Sequence, residues 1–289
     1  MLDQPRMSAR LFSPDSVLWR VNRESVTGLA GARALMLELA HPLIAAGVAH
    51  HSEFRRDPFG RLYRTLRAAN DIVFGTQGTA NRAAVHIRRC HQRVHGALED
   101  GVGSLPPGSR YNANDPELKL WVLATLVDSI LLVYDLFVRP LSLEERRAYY
   151  RDSRPLASVF DIPADLMPDS YDSFAAYVDA MISSDVLVAG DTARQVVKAI
   201  FAPPLIGRLA RALSFAGIGL LPPRIREGYG FAWSDRREKI LHDLARFSRR
   251  IRRLTPSLFC VNPRALIVEL RSHYVGTGSR GSQKARTPG

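Results

Sequence analysis

The longest apolar run in the chain, from Trp121 to Val138, most constrains how it can fold. The run carries two charged residues, Asp128 and Asp135, and it follows an Asp115-Pro116 pair typical of a helix start. Two carboxylates make a buried helix a better interpretation than a membrane span. No stretch alternates apolar and polar residues for long enough to require a sheet. The sequence therefore predicts an all-α fold with a single compact multi-helix domain.

Capping and proline signals place further helices. Ser142-Leu-Glu-Glu145 is a capping box. A long helix beginning at Asn22 or Ser25 should be interrupted at His41-Pro42, because proline removes a backbone donor. Other helices are predicted at residues 13–19, 171–184, 192–201, 205–215, 235–253 and 263–273. Residues 276–289 contain little to bury, so we predict a helical domain at 1–275 and a flexible tail at 276–289.

The chain is strongly basic, with 40 Lys and Arg against 28 Asp and Glu and a formal charge of +12. Such a surplus attracts anionic partners or simply forms a solvated surface. The basic residues lack zinc-finger, P-loop or RNA-binding patterns, so no nucleic acid partner is expected. Two cysteines and the absence of a signal-like N-terminus favour a cytoplasmic protein. The apolar segment 199–223 should pack in the core, with membrane-surface contact as the alternative.

Two helical stretches between Asp57 and Gly96 carry the residues best suited to catalysis or cofactor binding. Asp57 can cap a helix beginning at Pro58, on which Arg61 and Thr65 share a face that continues through Ile72. Arg64 lies beside them. The alanines at 68 and 69 leave room next to Thr65.

After a break at residues 74–78, a second helix is predicted from about Thr79 to Leu98. On it His91 aligns with Ile87, Val94 and Leu98, so the histidine should point into the protein. A histidine on an apolar stripe is more often a hydrogen-bonded core residue than a ligand. Spacing alone therefore favours a core role for His91.

The other histidines are weaker candidates for a functional role. His41 at the proline bend faces a pocket or, equally well, caps the preceding helix as a cation. His50 and His51 are adjacent and point about 100° apart on a helix, so they cannot easily share one ion. Glu53, His41 and His51 are the candidate general bases.

Asp128 shares a helix face with Trp121 and Thr125 and needs a partner, because burial of a lone carboxylate is costly. One hypothesis is that it accepts a hydrogen bond from His91. An arginine from a neighbouring helix is the more ordinary partner.

Short motifs along most of the chain resemble the rubber oxygenase (latex clearing protein) and MpaB-type oxygenase family, long catalogued as a domain of unknown function. The motifs are Asn22-Arg-Glu, Leu39-Ala-His41-Pro42, Ala46-Gly47-Val48, His51-Ser52-Glu-Phe54, Asp57-Pro58, the Arg61 to Thr65 turn, Phe74-Gly75, His91 to Gly96, Tyr111-x-Ala113, Asp115-Pro116, Trp121 to Ser129, Leu141-Ser142 and Tyr149-Tyr150. Beyond Met181 the resemblance fades.

The resemblance implies a globin-like helical core with b-type haem, whose iron is held by His91. It also implies that Arg61 and Thr65 line the haem pocket. Arg64 stands where rubber oxygenases have a lysine that can cap the iron. A guanidinium stays protonated and has no lone pair for iron, so that capped state should be absent here or served by another residue.

The implied activity is oxygenation, with dioxygen, of a small apolar substrate that is unsaturated or aromatic. Polyisoprene itself is not expected for so compact a chain. The alternative is a haem-free or haem-sensing helical protein that binds an apolar ligand, with Arg61 in an ion pair and His91 in the core. A third reading is a peripheral membrane or partner-binding protein that uses the arginine-rich region from 208 to 253.

Overall fold

The computed structural model describes residues 9–51, 58–201, 208–256 and 260–271. The first half contains α1 (Val17–Asn22), a 3₁₀ turn (Ser25–Leu29), α2 (Ala30–Leu39), α3 (Pro42–His51), α4 (Pro58–Phe74), α5 (Gln77–His91), β1 (His95–Ala97) and β2 (Arg110–Asn112). The second half contains α6 (Pro116–Phe137), α7 (Leu143–Ser153), α8 (Leu156–Val159), α9 (Tyr171–Ser183), α10 (Asp191–Phe201), α11 (Arg208–Gly219), α12 (Pro223–Gly228), α13 (Asp235–Leu254) and α14 (263–271).

The long apolar helix α6 lies at the centre of the molecule. Asp115 caps it by accepting from the Glu117 backbone N–H at 2.9 Å. Trp121 is 1% exposed, and its Nε1 donates to the Leu37 carbonyl of α2 at 3.2 Å. By length and apolarity α6 could cross a membrane, but 61% of its apolar window is buried within the protein. The buried-helix prediction is confirmed, as is the single compact all-α domain.

The predicted interruption at His41-Pro42 is also confirmed. Pro42 begins α3, and the helical segments on either side of the break are inclined at 103°. This bend carries α3 away from α6 and against the two strands and α10.

Two strands of three residues form a small antiparallel hairpin in which Gly96 pairs with Tyr111. The helix predicted to continue to Leu98 ends at His91, so that prediction was wrong for its last two turns. A Cβ atom at position 96 would lie 2.5 Å from the Tyr111 hydroxyl. Glycine thus allows the chain to leave the helix and pass against the tyrosine ring.

The helix predicted at residues 13–19 begins later, at Val17, and the other predicted helices follow the sequence closely. Ser142 and Glu145 form the predicted capping box. Predicted helices in the C-terminal half are confirmed as α9, α10, α11, α13 and α14, with small shifts at their ends. Within the described part of segment 199–223, Ala216 and Leu221 are buried, which supports core packing. The Asp57 cap and the 276–289 tail lie outside the described residues.

Candidate functional site

His91 is the last residue of α5 and is half-buried. Burial lowers the pKa of its imidazole, and the positive charge of Lys119 lowers it further. The ring is therefore neutral at pH 7, with a nitrogen lone pair available. Ile87, one turn earlier, shares its face as predicted. Val94 lies beyond the helix end but still packs inward against Gly47. A Cβ atom added to Gly47 would lie 3.1 Å from Val94 Cγ1.

The predicted partners on α4 lie on the helix that packs against α5. Thr65 and Arg64 are exposed, whereas Ile72 on the face predicted for Thr65 is 3% exposed. Thr65 thus stands at the solvent end of a face that becomes buried toward Phe74. The side chain of Arg61 and all of Glu53 lie outside the described residues.

Asp128 does not pair with His91. Its Oδ2 accepts from Arg33 Nη1 at 2.7 Å, and the same nitrogen donates to Ser129 Oγ at 2.7 Å. Arg33 Nε donates to the Leu220 carbonyl at 2.8 Å. The His91 hypothesis for Asp128 was therefore wrong, and the alternative of an arginine from a neighbouring helix is confirmed.

His41 lies at the bend between α2 and α3 and is 7% exposed. Its Nδ1 is buried and has no hydrogen-bond partner among the described residues. Burial lowers its pKa to about 4, while the carboxylate of Asp115 acts in the opposite direction. The ring is neutral at pH 7, so the expectation of a cationic helix cap was wrong, while the alternative that the ring faces a pocket stays a prediction.

His50 and His51, at the end of α3, both reach the hydroxyl of Tyr111. The distances are 3.0 Å from His50 Nδ1 and 3.2 Å from His51 Nε2. Tyr111 is 5% exposed, and burial together with Glu99 raises the pKa of its phenol. A neutral phenol donates one hydrogen bond and accepts another, so it can satisfy both rings. The histidines hold the hairpin against α3.

These groups gather around the first turn of α6. Asp115 acts electrostatically on His41 and Lys119 acts on His91, and the Lys119 N–H donates to the Asp115 carbonyl at 3.0 Å. An open cleft of about 620 Å³ lies alongside. Its lining residues are His95, Gly96, Ala97, Arg110, Tyr111, Asn112 and Asp115. His41, His91 and the hairpin are thus brought to one end of α6.

Sequence reasoning assigned no role to Tyr111 or Lys119. Tyr111 stands in the Tyr-x-Ala motif of the family resemblance, which was its only signal. Lys119 follows Asp115 by one helical turn. The sequence alone does not show that Tyr111 or Lys119 lies close to a histidine. Contacts of this kind become visible only in three dimensions.

Comparison with known proteins leads to the same family as the sequence motifs. The family model described as ER-bound oxygenase mpaB/B'/Rubber oxygenase, catalytic domain, matches residues 19–250. Two curated relatives are the uncharacterized proteins Mb2261 of Mycobacterium bovis and Rv2237 of Mycobacterium tuberculosis. Each is 25% identical over 237 residues, covering 79% of this chain and 89% of the relative. No solved structure matches. Since the family match spans most of the chain, the protein belongs to the mpaB and rubber oxygenase catalytic-domain family.

Proposed function

We propose that this protein is a b-type haem-dependent oxygenase that acts with dioxygen on a small apolar substrate, with His91 as the protein ligand of the iron. Membership of an oxygenase family supports the reaction class. The observation that carries the cofactor proposal is the neutral, half-buried imidazole of His91 at the end of α5.

The chemistry of His91 fits a haem ligand. An iron ligand must be deprotonated, and burial favours the neutral imidazole. A haem would need one imidazole from the protein to hold it, and His91 would supply that imidazole. Among the described residues, no three His, Cys, Asp or Glu side chains are grouped to hold a metal ion. A cofactor anchored by one histidine therefore suits this region better than a multi-ligand metal centre.

Neighbouring cations can hold the acidic edge of such a cofactor. Lys119 acts electrostatically on His91, and Arg64 stands on the adjoining helix. We assign both as candidate partners for the propionates, and Arg61 and Thr65 as pocket residues by family resemblance. When bound, haem supplies the oxygen activation, while these side chains orient the cofactor and donate hydrogen bonds. Arg64 offers no lone pair to iron, so it would not itself cap the iron.

We further propose that the substrate is a small unsaturated or aromatic molecule and that the protein works in a reducing, intracellular environment. Both cysteines are free, and Cys90 is exposed. An exposed thiol without a disulfide partner is typical of such an environment.

The test is haem content after expression and after reconstitution with haemin. His91→Ala should lose bound haem, whereas Arg64→Ala should retain it and change its ligand affinity. His86→Ala is the matched control, because His86 is an exposed histidine on the same helix. Full haem content in His91→Ala would exclude His91 as the ligand. A wild-type protein that neither contains nor takes up haem would favour the haem-free apolar-ligand-binding alternative.

A further inference from the structure

Within the part of the chain that the structure describes, helix α13 packs on the domain through one face. Leu241 and Ala245 are 2% and 0% exposed, and Ser248 Oγ donates to the Phe137 carbonyl of α6 at 3.0 Å. Arg252 forms two 2.8 Å hydrogen bonds with the buried carboxylate of Glu24. These contacts fix the rotation of the helix, so its other faces have a defined orientation.

A continuous apolar stripe runs along an exposed face of the same helix. The exposed fractions are 41% for Ile240, 45% for Leu244, 61% for Phe247, 41% for Ile251 and 85% for Leu254. The spacing alternates between four and three residues, which keeps all five on one line. Scattered exposed apolar residues are ordinary, but an aligned set of five indicates an interaction surface.

The charge around this stripe is strongly positive. Helix α13 contains eight Lys and Arg against three Asp and Glu, and beyond Asp243 every charged residue is an arginine. Arg250 is exposed and neighbours the stripe, three residues after Phe247 and four before Leu254. A second copy of the chain would bring two such helices together with like charges facing, which is unfavourable. The charge favours an anionic occupant.

We propose that the exposed face of α13 lies on an anionic lipid bilayer. The stripe from Ile240 to Leu254 enters the interfacial region, and the neighbouring arginines reach the lipid phosphates. Aromatic and aliphatic side chains on one line, flanked by basic residues, are the features of helices that lie in the plane of a membrane surface. Docking in this way would bring a source of apolar substrate to the domain. The proposal does not depend on haem.

The experiment is sedimentation of the full chain with vesicles of phosphatidylcholine alone or mixed with phosphatidylglycerol, at low and physiological salt. Binding should require the anionic lipid and should weaken as salt rises. Phe247→Ser and Arg250→Glu should each reduce partitioning by about tenfold. The matched controls are Leu143→Ser and Arg151→Glu on α7, which change an exposed leucine and an exposed arginine away from the stripe.

Two results would overturn the proposal. One is vesicle binding by Phe247→Ser and Arg250→Glu that equals wild type while circular dichroism shows all variants folded. The other is a stable dimer in analytical ultracentrifugation that Phe247→Ser dissociates, because the stripe would then be covered by a second copy. Haem content in these variants should equal wild type, which separates this test from that of the oxygenase proposal.

Discussion

His41→Gln should make folding less sensitive to acid. His41 is 7% exposed, and burial lowers its pKa to about 4 from an ordinary 6.5. Between these two values the unfolded chain binds a proton at this position and the folded chain does not. Folding stability therefore increases with pH across this window. The stability associated with neutral His41 is fully present above pH 6.5 and is lost as the pH falls toward 4.

The size of the effect follows from the difference between the two pKa values. About 2.5 pH units at 1.36 kcal/mol each correspond to roughly 3 kcal/mol in total. Between pH 7.5 and pH 5, where the protein can be compared without strong acid, the expected loss is about 2 kcal/mol. Glutamine is neutral at every pH and close to histidine in length, so it removes the titration at modest cost in packing.

Urea unfolding followed by tryptophan fluorescence at several pH values provides the assay. The free energy of unfolding of wild type should decrease by about 2 kcal/mol more than that of His41→Gln between pH 7.5 and 5. His242→Gln, which removes an exposed histidine from α13, is the control. Equal pH slopes for wild type and His41→Gln would refute the reasoning.

Two further predictions concern packing. Gly96→Ala should destabilise the fold by about 1–3 kcal/mol, because the new Cβ would lie 2.5 Å from the Tyr111 hydroxyl. Gly28→Ala has open space and should leave the melting temperature nearly unchanged. Arg33→Met should cost about 3 kcal/mol in urea unfolding, because Asp128 and the Leu220 carbonyl lose their partner. Adding Asp128→Leu should recover part of that loss, and no recovery would contradict the ion-pair account.

The helix starts were predictable because their signals are local. Asp115 before a proline and the Ser142–Glu145 capping box each satisfy backbone donors within one turn, so the sequence carries the whole interaction. The hairpin was not predictable in this way. Its strands have three residues each, and the reason for Gly96 is a ring that lies on the other strand.

The contacts in the candidate site were likewise not predictable from local sequence signals. The sequence indicated that Asp128 needs a partner, but the partner is Arg33, 95 positions away. His50 and His51 were expected to diverge on their helix, yet a nitrogen of each ring lies within 3.2 Å of the same Tyr111 oxygen, so that expectation was wrong. That oxygen belongs to the hairpin, whose position against α3 the sequence did not reveal. The inward-facing position predicted for His91 is met only in part, because the residue is half-buried and its helix ends there instead of continuing.

The most direct test of the central claim is the absorption spectrum of the purified protein after incubation with haemin. It is recorded oxidised, then reduced with dithionite, and then exposed to carbon monoxide. The account predicts a Soret band that shifts at each step in wild type and is lost in His91→Ala. A colourless wild type that takes up no haemin, or an unchanged spectrum in His91→Ala, would contradict it.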